Sequence, residues 1–150
     1  MAASASGAPP RPARPQIVLS VKERVQLSPH LVRIVAHGPD MAKIDAGPYT
    51  DAYSKMLFRQ PGSGIEPPYD LDALRDELPP EEMPSTRTYT VRRVDHGAGE
   101  LWIDFVVHGT EGIAGPWAAA AEPGDPVVLR GIGGGYAPDP SADWHLLAGD

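Results

Sequence analysis

Six short apolar runs, each cut off by glycine or proline, restrict what this chain can fold into. In QIVLSVKERVQLS, Ile17, Leu19 and Val21 alternate with Val18, Ser20 and Lys22, and Val25 and Leu27 follow. Successive side chains of a strand point to opposite faces, so alternation rich in β-branched residues predicts a strand with one buried face. Ser28-Pro29 breaks the run, and HLVRIVAHG follows, closed by Gly38-Pro39. These two segments predict an antiparallel pair, with a short turn or helix at 41–44. YSKMLF (Tyr53–Phe58) reads as a third strand, STRTYTVRRVD as a fourth and ELWIDFVVHG as a fifth. The last two are joined by HGAGE, whose Gly97 and Gly99 suit a hairpin. PVVLRGI is the sixth strand. Because 16 Gly and 18 Pro punctuate 150 residues, long helices have little room.

Two helices fit in the breaks. LDALRDEL places Leu71, Leu74 and Leu78 on one face, with Asp70 as its cap and Pro79-Pro80 as its stop. PWAAAA carries Pro116 in its first turn. The break at 63–84 is long, as functional or lid-like loops often are. The expected fold is mostly β: a six-stranded antiparallel barrel with a short helix. Residues 1–15 have nothing to bury and read as a disordered leader. Residues 16–140 are the barrel domain. Residues 141–150 are a linker ending in WHLLAGD, which would suit the first buried strand of an α/β domain.

Composition removes several function classes. A net charge of −7 argues against nucleic acid and against an anionic membrane face as partners. There is no cysteine, so disulfides, thiolate metal sites, iron–sulfur ligation and cysteine nucleophiles are excluded. His30, His37, His96 and His145 have no ligand partner at metal spacing, and no metal site is expected. The leader lacks the apolar core of a signal peptide, and no run approaches the ~20 residues of a membrane span. A cytoplasmic address is the expectation. GIGGG at 131–135 reads as hinge-like, and it lacks the Lys-Ser/Thr of a nucleotide-triphosphate loop.

Two segments carry candidate chemistry. In RTYT, Arg87 and Tyr89 share one strand face while Thr88 and Thr90 take the other. A flavin needs a flat aromatic partner, a hydrogen-bonding group and a cation for its phosphates, and Tyr89, Thr90 and Arg87 supply these. RTYT is equally compatible with an ordinary strand, since Tyr and Thr favour sheets. In DFVVHG…GIAGPWA, a strand runs into a glycine loop and then a helix. Exposed N–H groups there suit a pyrophosphate, although glycine and proline also simply make turns. Trp117 either shields a ligand or packs in the core. His108 either bonds a cofactor oxygen or closes the strand. Asp104 is expected to hold backbone or an arginine. Lys55 and Arg130 either face an anionic substrate or are ordinary surface cations.

The order SKMLF, RTYTVRR, DFVVHG…GIAGPWA, EPGD, GGGYAPDPSADWHLLAGD resembles the siderophore-interacting family of FAD-containing ferric-siderophore reductases, relatives of ferredoxin reductases. The resemblance covers residues 16–150. It implies a Greek-key FAD barrel of the ferredoxin-reductase type, followed by a nicotinamide-binding α/β domain. It implies that Arg87, Tyr89 and Thr90 contact the flavin. It further implies that Val107, His108 and the loop 112–117, with Gly112, Ala114, Gly115 and Trp117, hold the rest of the FAD. Lys55 matches a basic position where a ferric siderophore approaches, and Arg130 matches it less well. Arg59 stands where the family usually has proline. NAD(P)H would be the electron donor and a ferric siderophore the substrate. A general flavin reductase or ferredoxin-reductase-like carrier fits the barrel and RTYT as well. A cofactor-free barrel for an acidic ligand or partner protein is the reading from another class.

Overall fold

The computed structural model describes residues 15–146 and 148. The expected leader therefore lies, but for Pro15, outside the described residues, as do Leu147, Gly149 and Asp150 of the final run. The strands are β1 (Ile17–Ser28), β2 (Leu31–His37), β3 (Tyr53–Phe58), β4 (Ser85–Asp95), β5 (Glu100–Val106) and β6 (Pro126–Gly133). Two α-helices, α1 (Leu71–Glu77) and α2 (Ala114–Ala120), and a 3-10 turn at Pro39–Lys43 complete the elements. All six expected strands form, and both helical segments are present.

The strands close into a barrel in the order β1-β2-β5-β4-β3-β6, every neighbour antiparallel. Strands β3 to β6 lie in the spatial order 6-3-4-5, which is a Greek key. Closure leaves no sheet edge open where the six strands pair. The alternation seen in the sequence decides what fills the barrel. Leu19 and Val21 of β1, Val32 and Ile34 of β2, and Leu101, Ile103 and Phe105 of β5 are all at most 2% exposed. Burying each such side chain contributes roughly 1.5–3 kcal/mol.

Local departures from regular pairing re-aim particular residues. A bulge between Val91 and Arg93 makes Arg92 the extra residue of β4. A second irregularity sits between Ser54 and Met56, opposite Arg130 and Gly131. There Gly131 has φ +79, and the buried Ser54 Oγ donates to its carbonyl at 2.8 Å. The glycine run that follows is held at its far end. Asp51 accepts the N–H groups of Gly135 (2.9 Å) and Tyr136 (3.1 Å). Gly134 has φ +135, and a Cβ there would lie 3.0 Å from the Asp51 carboxylate. Only glycine fits that approach.

Helix α2 packs across one end of the barrel through Ala114 and Ala118. The segment 59–84 instead lies against the outside of β3 and β6. Asp70 caps α1 by accepting from Asp72 N–H and Ala73 N–H, as expected, and Leu71 and Leu74 pack against Leu57, Tyr69 and Val128. Trp144 and Leu146 form no strand here and are exposed.

Outside the barrel, Trp102 lies between two guanidinium groups, with Arg33 and Arg93 at 4.9 and 5.0 Å from its ring. Arg33 is bidentate to Asp104 at 2.7 and 2.8 Å, so Asp104 holds an arginine as the sequence suggested. Lys22, then the Trp102 indole, hold the Glu100 carboxyl below its ordinary range. The Ala98 N–H and then Arg93 do the same for Asp95. Lys43 and then the Val18 N–H do so for Asp40.

Two outcomes follow from this packing. Phe105→Ala should cost about 3–5 kcal/mol in chemical denaturation, the usual loss for a buried aromatic. All three carboxyls have folded pKa values below their unfolded ones, so their stabilisation is full above the unfolded value of about 4 and is lost as pH falls below it. The thermal midpoint should therefore drop on acidification below about pH 4, and less steeply in Asp95→Asn.

Candidate nucleotide site at the end of the barrel

The site grows from the register of β4 against β3. Arg87 pairs with Met56 and Tyr89 with Ser54. Met56 and Ser54 are both buried, so Arg87 and Tyr89 point to the barrel's inner face. Tyr89 lies where that face meets the barrel end. Its ring packs on Phe105 with centroids 4.4 Å apart, and the residue stays half-buried. Burial raises the Tyr89 hydroxyl pKa, with the Arg87 charge opposing it, so the hydroxyl is protonated at neutral pH and able to donate. Arg87 is exposed beyond the core and donates to its neighbour's carbonyl, Thr86 O, at 2.9 Å.

The other wall is the chain leaving β5. The Val107 N–H donates to His30 O at 2.8 Å, which ties the start of this loop to the β1–β2 turn. Gly109 (φ +67) and Gly112 (φ +79) then bend the chain through conformations that side chains disfavour. Helix α2 begins without a side-chain cap. It has only seven residues, so its dipole is slight. Its value to an anion lies in the uncapped N–H groups of Ala114 and Gly115, Pro116 having none.

These walls enclose a cavity of about 170 Å³ lined by Arg87, Tyr89, Val106, His108, Glu111, Gly112, Ile113, Ala114 and Gly115. Six of the nine cofactor residues named from sequence thus meet in one place: Arg87, Tyr89, His108, Gly112, Ala114 and Gly115. Three do not line it. Val107 packs against the core with its N–H already used. Trp117 packs edge-on against Phe58 (5.3 Å) and tilted against Phe105 (5.6 Å), so of its two sequence readings the core one describes its packing. Thr90 faces outward, paired with Tyr53. Lys55 lies on the same outer face, paired with Thr88. Arg130 follows outward-facing Val128 by two residues and sits across the bulge from Lys55. Sequence reasoning missed Glu111, whose place inside the glycine loop was the available signal.

Charge distinguishes these cations from most others in the chain. Among the described residues, Lys22, Arg33, Lys43, Arg59, Arg75 and Arg93 are ion-paired. Arg24, Lys55, Arg87, Arg92 and Arg130 are in no ion pair. In a chain of net charge −7, Arg87 thus keeps a local positive charge at the cavity, and Lys55 and Arg130 keep theirs on the outer face. An unpaired guanidinium, an open set of backbone donors and a half-exposed aromatic ring fit a phosphate-bearing ligand with a planar ring, and FAD has both parts. The cavity is smaller than the ~300–1,000 Å³ of a site enclosing a whole small molecule, so it suits the phosphate-bearing part.

The closed six-stranded barrel is of the FAD-binding type found in ferredoxin-reductase-like proteins. The model of the siderophore-interacting FAD-binding domain matches residues 20–136, and the chain belongs to that family. An uncharacterised protein of Mycobacterium tuberculosis is 45% identical over 140 residues, covering 91% of this chain and 49% of that protein. The ferric vibriobactin reductase ViuB of Vibrio cholerae is 36% identical, covering 89% of this chain and 48% of its own length. The crystal structure of the siderophore-interacting protein SipS from Aeromonas hydrophila superposes with a TM-score of 0.63 at 34% identity, over 81% of this chain and 44% of that one. The chain spans about half the length of the curated relatives it matches. Among the described residues, no helix is long and apolar enough to cross a membrane.

If Arg87 and the glycine loop form the anion site, inorganic pyrophosphate should bind this chain measurably by calorimetry. Arg87→Ala should weaken it about tenfold or more, because a charge-assisted bond contributes roughly 1.5–3 kcal/mol.

Proposed function

We propose that this chain is the flavin-holding part of a cytoplasmic, NAD(P)H-dependent ferric-siderophore reductase that frees iron by reducing Fe(III) to Fe(II). The observation that carries the reading is the convergence of unpaired Arg87, half-buried Tyr89 and the uncapped loop before α2 on one cavity. FAD, when bound, supplies hydride acceptance and single-electron transfer. The protein's own task is then to bind, orient and admit, which agrees with a cavity holding no nucleophile and no carboxylate pair. Arg87 and the N–H groups of Gly112, Ala114 and Gly115 would hold the phosphates, and His108 would bond a cofactor oxygen. Tyr89 would pack on the flavin ring, and Phe105 behind it keeps that ring from tilting. Thr90 would offer its hydroxyl from the outer side of the same strand. Val107 has only its carbonyl left to offer, and Trp117 would act indirectly by fixing α2.

Lys55 and Arg130 would receive the substrate. Many ferric siderophores are anionic, and two unpaired cations on one outer face favour such a complex electrostatically. Iron(II) leaves hard oxygen chelators more readily than iron(III), so a single reduction frees the metal. Residues 16–140 would form the barrel unit and 141–150 the lead toward a nicotinamide-binding part, in keeping with relatives about twice as long.

The test is the visible spectrum of the purified chain after incubation with FAD and desalting. A retained flavin band is expected, reduced in Arg87→Ala and in Tyr89→Ala. Retention by neither the wild type nor a version extended to the relatives' full length would sink the flavin reading in favour of a cofactor-free barrel.

A further inference from the structure

Glu111 lines the candidate nucleotide cavity together with Arg87 and His108. A carboxylate is an unexpected neighbour for phosphates, because like charges repel. No ion pair joins it to Arg87, whose guanidinium donates instead to Thr86 O at 2.9 Å. Among the described residues, Glu111 is paired with no other cation either. Its loop has room around it: a Cβ at Gly109 or Gly112, on either side, would meet nothing within 4 Å beyond its chain neighbours. The side chain is exposed, so its charge is left for whatever enters the cavity.

Such a carboxylate acts on a bound nucleotide in two ways. It penalises added negative charge, and it accepts hydrogen bonds from hydroxyl groups. The two flavin nucleotides differ in both respects. FMN ends in a phosphate monoester, which concentrates about 1.5–2 negative charges on one phosphorus at neutral pH and has no hydroxyl beyond it. FAD spreads one charge over each of two phosphates and continues into a ribose with hydroxyl donors. Arg87 and Glu111 bring opposite charges to the cavity, a balance that suits the lower charge density.

Resting on the flavin reading above, we propose that Glu111 is a specificity-determining residue that makes the site prefer FAD to FMN. Its carboxylate opposes the concentrated charge of a terminal phosphate and accepts from the ribose hydroxyls of the adenosine part. Dissociation constants for FAD and FMN, measured by flavin fluorescence on the shortest form of the protein that retains flavin, give the preference as a ratio. Glu111→Gln keeps the size of the side chain and removes its charge. It should lower the preference for FAD over FMN about fivefold, with an unchanged melting temperature. Glu111→Lys should lower it further. A preference unchanged or increased in both variants would overturn the role of Glu111 and leave the flavin site standing. A wild type that binds neither nucleotide, alone or extended to the relatives' full length, would overturn the flavin reading and this role with it.

Discussion

Phe105 is the side chain on which the arrangement of this molecule turns. It is fully buried near the end of β5, with Tyr89 packed on one side and Trp117 on another. Those contacts join β4, β5 and α2, the three elements that carry the candidate nucleotide site. Apart from these rings and Phe58, which packs on Trp117, the barrel core holds no aromatic side chain, and aliphatic packing transmits little orientation. Tilted aromatic pairs at 4.4 and 5.6 Å do, because a ring's edge and face are electrostatically unlike. The half-exposed Tyr89 ring is thus held from behind. Preorganisation of this kind lowers the ordering cost of binding.

Charge is managed by a similar division of labour. On the outer face of β1, β2, β5 and β4, Lys22, Glu100, Arg33, Asp104, Arg93 and Asp95 are paired around Trp102. At exposed positions such pairs contribute little individually. Their effect is to cancel one another, leaving Arg87, Lys55 and Arg130, with Arg24 and Arg92, outside any ion pair. An acidic protein thereby carries local positive potential in two places suited to anions.

Much of the fold was legible because burial imposes period two on a strand. Ile17, Leu19 and Val21, or Leu101, Ile103 and Phe105, announce their face without knowledge of any partner. The same rule placed Arg87 and Tyr89 together and Thr90 opposite. What alternation leaves out is what happens at its interruptions. The bulge that turns Arg93 outward beside Trp102 and the one that sets Arg130 across from Lys55 have no compositional mark beyond Gly131. The Val107 N–H is used by His30, a partner 77 positions earlier in the chain. Long-range hydrogen bonds of that sort are not written in local sequence. The segment 59–84 was read as a break with a capped helix, and its role as a wall over Leu57 and Val128 depends on tertiary contact alone.

The glycine run at 131–135 reads as a hinge, and its surroundings make it the opposite. Ser54 grips Gly131 at one end, and Asp51 grips Gly135 and Tyr136 at the other. The chain therefore leaves the barrel from an anchored post, with its heading set before residue 137. Beyond it, Pro138 and Pro140 each lock a φ angle. Anything carried on the far side would inherit a restricted cone of directions over the barrel end, and Asp51 would act as the joint that aims it.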